Sequence, residues 1–275
     1  MQTMQETWQG AATLVDPAVP QRWGFWYVAE TRLRNMSKWW PAIVAFGIGN
    51  PVLYLFSVGV GIGSLISGPV DGVSYLAFLA PALLATAAIQ AAMDEVSFPT
   101  IEGFVWDKTF FATNSTGITG PQIVNGMMVA AMIRAVATVL IYELILLMFG
   151  AITMDAVLPL LLSSSFAALA FAAVMFAVTV KIKDDDGFFA IIGRFVITPM
   201  FMFSGTFYPL ENTPIYLQWI GWISPLWHST DIGRALSYGA DVDGWLMIVH
   251  FGFLIAMAIG GFAWVYPQFI KRLSA

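Results

Sequence analysis

The chain has 275 residues, of which 59% are hydrophobic and 11% are charged, whereas about a quarter of the residues in soluble proteins are charged. This composition excludes a soluble domain and leaves enough apolar residues for about six membrane-spanning helices of about 20 residues each. A formal charge of −5 gives no general attraction for nucleic acid. The absence of cysteine excludes thiol chemistry and cysteine-ligated metal sites, and two histidines leave little room for a histidine-based metal site.

The N-terminal part precedes the apolar stretches. Residues 1–20 are polar and predict a flexible cytoplasmic tail. Residues 21–39 predict an amphipathic helix in the membrane interface, because aromatic residues recur at helical spacing and basic residues mark the other face. This helix is either a plain membrane anchor or a lever attached to a partner. Its candidate functional residues are Arg22, Trp23, Arg32 and Arg34.

Residues 40–275 predict one transmembrane domain of six helices, so the predicted fold class is an all-α, polytopic membrane protein. Each predicted span is a predominantly apolar stretch bounded by polar or turn-forming residues. The six stretches are 41–63, 74–95, 123–149, 157–180, 188–204 and 244–266.

The fifth stretch is unusual because hydrophobicity continues past Ser204 to about Trp227, interrupted by Pro209, Pro214 and Pro225. Non-helical backbone at membrane depth is stable only where protein or a water-filled cavity covers it. We therefore expect short re-entrant helices after the fifth span, which return to the same side of the membrane.

The basic residues predict the orientation, since cytoplasmic loops carry an excess of Lys and Arg. With the N-terminus inside, nine basic residues lie on the cytoplasmic side and only Arg234 lies clearly outside. Both termini of this multi-pass protein are thus predicted to be cytoplasmic, in the inner or plasma membrane. The nine are Arg22, Arg32, Arg34, Lys38, Lys108, Lys181, Lys183, Lys271 and Arg272.

The sequence lacks the common catalytic motifs. The chain has no G-x-x-x-x-G-K-[ST] phosphate loop, so it does not predict an ATP site. It has no G-x-S-x-G and no H-E-x-x-H either, which argues against hydrolase chemistry. We expect no cofactor or metal bound by this chain.

Two ionisable residues lie within the third span, where such groups are functional candidates. Arg134 and Glu143 are nine residues apart, or about 13 Å of helix, so they do not pair with each other. Each either pairs with another helix or subunit, or contributes to transport. A single Glu143 is thin support for an ion-coupled transporter.

Two cytoplasmic segments carry further charges. Residues 98–122 interleave aromatic and charged residues, which predicts a short amphipathic helix that docks on protein or lipid. The compact turn at 181–187 is either a solvated cap of the fifth helix or a contact surface.

On the outer side, His228, Asp231 and Arg234 are spaced to lie along one helix face. They form either a hydrogen-bonded structural cluster or an external gate that touches a polar substrate.

Three stretches together resemble the permease subunits of type-2 ABC exporters, over about residues 22–272. They are residues 50–55 with 59–63, residues 106–111 with 123–126, and the segment FSGTFYPL at 203–210 followed by PLWH at 225–228. The last pattern is similar to the branch of nodulation lipo-oligosaccharide exporters and drug-resistance permeases. One departure is Asn125-Gly126, where related permeases often carry an acidic residue.

The resemblance implies an export subunit for an amphipathic substrate such as a glycolipid, a lipid-linked saccharide or a drug. It implies ATPase subunits that carry ATP and Mg, a second permease chain as homodimer or heterodimer, and surrounding membrane lipids. It assigns ATPase coupling to Glu102, Trp106, Asp107, Lys108, Lys183, Asp184 and Asp185. It assigns an external gate or re-entrant region to Phe207, Tyr208, Pro209, His228, Asp231 and Arg234.

Two other function classes remain as alternatives. An ion-coupled secondary transporter predicts gradient-driven transport that Glu143→Gln abolishes. A membrane-embedded lipid-modifying enzyme needs a cluster of acids and nucleophiles at one interface, and the sequence offers no such cluster.

Overall fold

A computed structural model describes residues 18–66, 68–183 and 187–274 of the chain. The predicted tail up to residue 17 and the predicted coupling residues Asp184 and Asp185 lie outside the described residues. The described part is all-α as expected and contains no strand; Val70 and Val73 form an isolated bridge.

Eleven α-helices make up most of the described chain. They are α1 (Ala18–Ser37), α2 (Trp40–Tyr54), α3 (Tyr75–Ile101), α4 (Thr109–Ser115), α5 (Gly120–Met148), α6 (Met154–Thr179), α7 (Phe188–Ile192), α8 (Thr198–Phe203), α9 (Ile215–Trp222), α10 (Pro225–Tyr238) and α11 (Gly244–Leu273).

Three π-helical segments extend or join these helices. Leu55–Ile62 continues α2, Glu102–Trp106 continues α3, and Gly193–Ile197 joins α7 to α8. Such wider turns are uncommon and often mark functional positions. The predicted amphipathic helix in 98–122 is therefore two pieces: the first continues α3, and the second is the short α4.

Four of the described helices are long and apolar enough to cross a membrane: Tyr75–Trp106, Gly120–Met148, Met154–Thr179 and Gly244–Leu273. They coincide with the second, third, fourth and sixth predicted spans. The first and fifth predicted spans are helical as well, but their apolar helices, Val52–Leu65 and Phe188–Phe203, are shorter. The arrangement of six spans therefore stays a prediction.

Small residues allow the helices to approach one another closely. A Cβ added to Gly261 of α11 would lie 2.6 Å from the Ala173 Cβ of α6, and one added to Gly233 of α10 would lie 2.9 Å from Pro81 of α3. Close approach of this kind supplies van der Waals contact where the hydrophobic effect is weak. The Ala-rich α6 thus packs against α3, α10 and α11.

Candidate functional site

The cytoplasmic ends predicted for α1 and α3 are joined by a buried ion pair. Arg32 of α1 contacts Glu95 Oε1 through Nε and Nη2, at 2.9 and 2.8 Å. Its Nη1 lies 3.2 Å from Oε2 of Glu102, two helical turns further along the same face. Arg32 therefore connects the interfacial helix to both α3 and the predicted coupling segment.

A second arginine completes the network from α5. Arg134 contacts the other oxygen of Glu95 at 3.3 Å and Asp94 at 3.5 Å. The Glu95 side chain is only 2% exposed, and both of its oxygens are paired. Because burial makes an unpaired charge costly, the Glu95 carboxylate depends on its two arginines. Arg134 of α5 is thus paired with another helix, α3.

The interfacial helix packs directly on α5. A Cβ added to Gly126 would overlap the carbonyl oxygen of Phe25 and the side chain of Val28, so glycine permits this approach. The departure at Asn125-Gly126 thus has a structural basis: Asn125 accepts a hydrogen bond from Tyr266 of α11, and Gly126 admits α1.

The opposite face of α1 is exposed. Trp23 is 48% exposed, with the Arg22 guanidinium 5.9 Å from its ring, and Arg34 pairs with Glu30 on the surface at 2.6 Å. Of the four candidate residues on this helix, only Arg32 takes part in the ion-pair network; the other three lie at the surface.

The predicted coupling segment turns sharply after α3. Phe104 and Phe110 are buried, and their rings lie 4.7 and 5.2 Å from the ring of Phe269 on α11. Lys108 adopts a left-handed backbone conformation with φ of 56° and begins α4. The aromatic residues of this loop thus anchor it to its own chain, and the residues between the two phenylalanines form an exposed turn. We call Trp106, Asp107 and Lys108 the exposed turn; all three side chains are at the surface.

The loop that follows α6, the second one predicted to be cytoplasmic, is tied to the same place. Arg272 of α11 lies 4.4 Å above the Phe104 ring and donates from Nη1 to the carbonyl oxygen of Val180 at 2.6 Å. Val180 ends α6, just before the exposed Lys183. Arg272 therefore holds Phe104, which precedes the exposed turn, close to the end of α6.

A second polar cluster lies at the other end of the bundle, around Arg234 of α10. Its Nη2 donates to the carbonyl oxygens of Gly205 at 2.7 Å and Phe78 at 3.4 Å, and its Nη1 lies 3.5 Å from Asp231. The guanidinium also lies 3.8 Å from the Phe78 ring centre. Arg234 thus holds the chain after α8 against α3.

The two histidines of the chain meet beside this arginine. His228 Nε2 lies 3.0 Å from the carbonyl oxygen of Trp222, which can only accept, so this nitrogen carries a proton. Burial lowers the pKa of His228 to about 4, so the ring is neutral and its Nδ1 accepts from His250 Nδ1 at 2.7 Å. His250 Nε2 then faces Asp231 at 3.7 Å.

Asp231 is ion-paired with Arg234 and lies 3.7 Å from the unprotonated Nε2 of His250, without a hydrogen bond between them. Burial raises the pKa of Asp231 to about 6, although the neighbouring Arg234 acts to lower it. Asp231 and Arg234 therefore form an ion pair, and His228 lies beside it, bonded to His250, which the spacing did not show.

The remaining predicted gate residues lie on the loop between α8 and α9. The Phe207 carbonyl accepts from the Tyr75 hydroxyl at 3.2 Å, and the Phe207 ring lies 5.1 Å from Phe201. Tyr208 and Pro209 are half-buried and precede a short 3₁₀ turn. These three residues therefore belong to the segment that Arg234 holds against α3.

Glu143 belongs to neither cluster. Its side chain is buried, and within the described residues no partner lies within hydrogen-bonding distance of either carboxyl oxygen. The described residues also contain no group of three His, Cys, Asp or Glu side chains placed to hold a metal ion.

Comparison with known proteins gives the family of this chain. Residues 24–238 match the ABC-2 type transporter family. The chain belongs to that family. The matched range begins within α1 and runs to the end of α10, so it includes every residue of the two polar clusters except His250. ABC-2 permeases are membrane transport subunits, in agreement with the resemblance and with the apolar helices.

The relatives of this ABC-2 permease include several nodulation proteins J. That of Rhizobium leguminosarum bv. viciae is 34% identical over 80% of this chain and 85% of its own length. That of Rhizobium meliloti (strain 1021) is 31% identical over 83% and 85%. That of Sinorhizobium fredii (strain NBRC 101917 / NGR234) is 30% identical over 92% and 94%. No solved structure matches significantly.

Three members of the clusters escaped the sequence reasoning: Asp94, Glu95 and His250. Two adjacent acids at the end of the second apolar stretch are a signal for Asp94 and Glu95, since Arg134 in the third stretch needs a counter-charge. His250 has no comparable signal, because its partner His228 lies 22 residues away.

Proposed function

We propose that this chain is the permease subunit of an ABC exporter. It moves an amphipathic substrate, such as a glycolipid, a lipid-linked saccharide or a drug, outward across the cytoplasmic membrane. A separate ATPase subunit binds ATP and Mg and supplies the energy. The ABC-2 family match and the relation to nodulation proteins J support this function.

One observation carries the proposal: the ion pairs of Arg32 join the interfacial helix, α3 and the start of the coupling segment. The exposed turn follows Glu102 by only a few residues. A force applied there by an ATPase reaches α1, α3 and, through Arg134, α5 as one connected unit. Such a unit is the kind of element that a conformational equilibrium can move as a rigid body.

The proposed exporter contains two permease chains around the substrate path, since one bundle provides only one wall. Each chain has six spans, re-entrant helices at α9 and α10, and both termini in the cytoplasm, an orientation that the distribution of basic residues supports. The exposed turn, together with Lys183, Asp184 and Asp185, forms the ATPase contact. The cluster around Arg234 shapes the external gate.

Changes in the exposed turn test the coupling directly. Trp106→Ala and Lys108→Asn remove an exposed ring and an exposed charge, and asparagine tolerates the left-handed conformation of position 108. We expect folding to be unchanged and ATP-driven export to fall about tenfold or more when the chain is co-expressed with its ATPase. Export and ATP hydrolysis are measured together in proteoliposomes.

The control for these variants is Lys38→Ala, an exposed lysine at the end of the interfacial helix and outside the turn. Wild-type export by the variants Trp106→Ala and Lys108→Asn would refute an ATPase contact at the exposed turn. Export by the chain in the absence of any ATPase would refute the proposed function itself.

The isolated carboxyl of Glu143 favours a second candidate, an ion-coupled transporter, and one substitution separates the two. An unpaired carboxylate in an apolar environment is costly. An ATP-driven exporter makes no use of a charge at position 143, so a neutral side chain of the same shape is sufficient there. For the exporter, Glu143→Gln is expected to retain ATP-driven transport and stability within about twofold and about 0.5 kcal/mol. Loss of transport with an intact ATPase complex would support ion coupling instead.

A further inference from the structure

A cavity of about 710 Å³ lies beside the ion-pair network, between α2, α3, α5 and α8. We call it the inner cavity. Its volume is in the range of pockets that hold small molecules. Of the residues that line it, the proposed coupling mechanism uses only Arg134.

The inner cavity is polar at one end and apolar at the other. Asp94 and Arg134 line the end nearest the network, whereas Leu83, Tyr142 and Phe201 line the other. Along α3, Asp94 and Leu83 are eleven residues apart, or about 16 Å of helix. The hydrocarbon part of one leaflet is about 15 Å thick, half of a core of about 30 Å. The cavity thus has the length and polarity of one lipid leaflet.

The polar end offers one charge of each sign. The Asp94 side chain is 37% exposed and that of Arg134 is 23% exposed, and their mutual ion pair is long at 3.5 Å. In contrast, Glu95 is enclosed by its two arginines. The cavity therefore presents an acceptor for a cation beside a donor for an anion.

The neutral polar groups nearest Asp94 along α3, Gln90 and Thr86, are already engaged. The Gln90 amide donates to Asp94 at 2.7 Å, and the Thr86 hydroxyl donates to the carbonyl oxygen of Ala82 at 2.7 Å. A head group rich in hydroxyls would have to compete with these bonds. A head group with its own paired charges would instead complement Asp94 and Arg134.

We propose that the inner cavity binds one zwitterionic phospholipid of the phosphatidylethanolamine kind. Its phosphate lies against Arg134, its ammonium lies against Asp94, and one acyl chain extends towards Tyr142. The lipid contacts α2, α3, α5 and α8, and so it fills the space between the ion-pair network and the segment that precedes the external gate.

The test measures lipid retention by the full chain without an ATPase. The purified, delipidated protein is mixed with phosphatidylethanolamine or phosphatidylglycerol of the same acyl chains, and bound lipids are counted by native mass spectrometry. We expect about fivefold preference for the ethanolamine lipid, which corresponds to about 1 kcal/mol. Asp94→Asn is expected to abolish the preference, because it removes the acceptor for the ammonium.

Two further variants complete the design. Ala87→Phe fills the inner cavity without touching a charge, and it is expected to remove the retained lipid whatever its head group. Asp241→Asn neutralises an exposed acid in the loop before α11 and is expected to behave as wild type.

Equal retention of the two lipids by the wild type would overturn the proposal, and so would unchanged lipid counts in Ala87→Phe. A glycolipid or other non-phospholipid that occupies the cavity in preference would overturn it as well. Because no ATPase is present, either result leaves the proposed export function standing, and a failure of ATP-driven export leaves the lipid site standing.

Discussion

Glu95→Ala is expected to destabilise the chain by about 3–5 kcal/mol, because it leaves two arginines without their shared partner. Arg32 would retain only Glu102, whose side chain is 40% exposed, and Arg134 would retain only the long contact to Asp94. The thermal unfolding midpoint in detergent is expected to fall by several degrees, and ATP-driven export is expected to be lost.

Glu95→Gln separates the charge from the shape of this side chain. The amide oxygen can still accept from one arginine, but the negative charge that balances both is gone. An intermediate loss of stability is expected. The midpoint is measured for both variants at two salt concentrations, since a buried pair is screened much less than a surface pair.

The matched control is Glu30→Ala, which breaks the ion pair with Arg34 on the exposed face of the same interfacial helix. An exposed pair at this spacing contributes about 0.3–0.5 kcal/mol. If Glu95→Ala were no more destabilising than Glu30→Ala, the network could not be the connection between α1, α3 and α5. The proposed transmission from the exposed turn would then need another route.

The long apolar helices could be predicted from the sequence because hydrophobicity and spacing are local properties. The third span was expected at 123–149, and α5 runs over Gly120–Met148. The second was expected to stop at residue 95, but the helix continues to Trp106. The acids that ended the apolar pattern, Asp94 and Glu95, lie inside this helix and pair with Arg134 and Arg32.

The candidate site was predictable only in part. The resemblance to type-2 ABC permeases pointed to the residues of the exposed turn, and Arg234 stood out as the one basic residue predicted to lie clearly outside. The partners did not follow, since Arg32 and Glu95 lie 63 residues apart and no periodicity connects them. The π-helical turns at Glu102–Trp106 and Gly193–Ile197 also have no sequence signal comparable to a capping residue or a proline.

At the end of the bundle that is predicted to face outward, Arg234→Met is expected to have the second large effect. The guanidinium side chain is 5% exposed and contacts two carbonyl oxygens, Asp231 and the Phe78 ring. Methionine fills a similar volume but leaves the Gly205 carbonyl and Asp231 without their donor. Removing one partner of a buried pair costs about 3 kcal/mol or more, so a clear loss of stability is expected.

Arg234→Lys distinguishes charge from geometry. Lysine keeps the positive charge, but a single ammonium cannot reproduce the planar fork that reaches Gly205, Phe78 and Asp231 together. We therefore expect Arg234→Lys to recover part of the stability but little of the export, while ATP hydrolysis by the assembled complex continues. Hydrolysis without export would locate the defect in the proposed external gate. That defect would come after the transmission of force from the ATPase, in which the exposed turn and Glu95 take part.

The control is Arg194→Lys, which exchanges the same residue types at an exposed position between α7 and α8. Stability and export are both expected to stay within about twofold of wild type. Full export by Arg234→Lys would show that charge alone suffices and that the clamp on Gly205 is dispensable. Joint loss of hydrolysis and export would instead mean that the two polar clusters act as one structural unit, since a defect at one end would then disable the other.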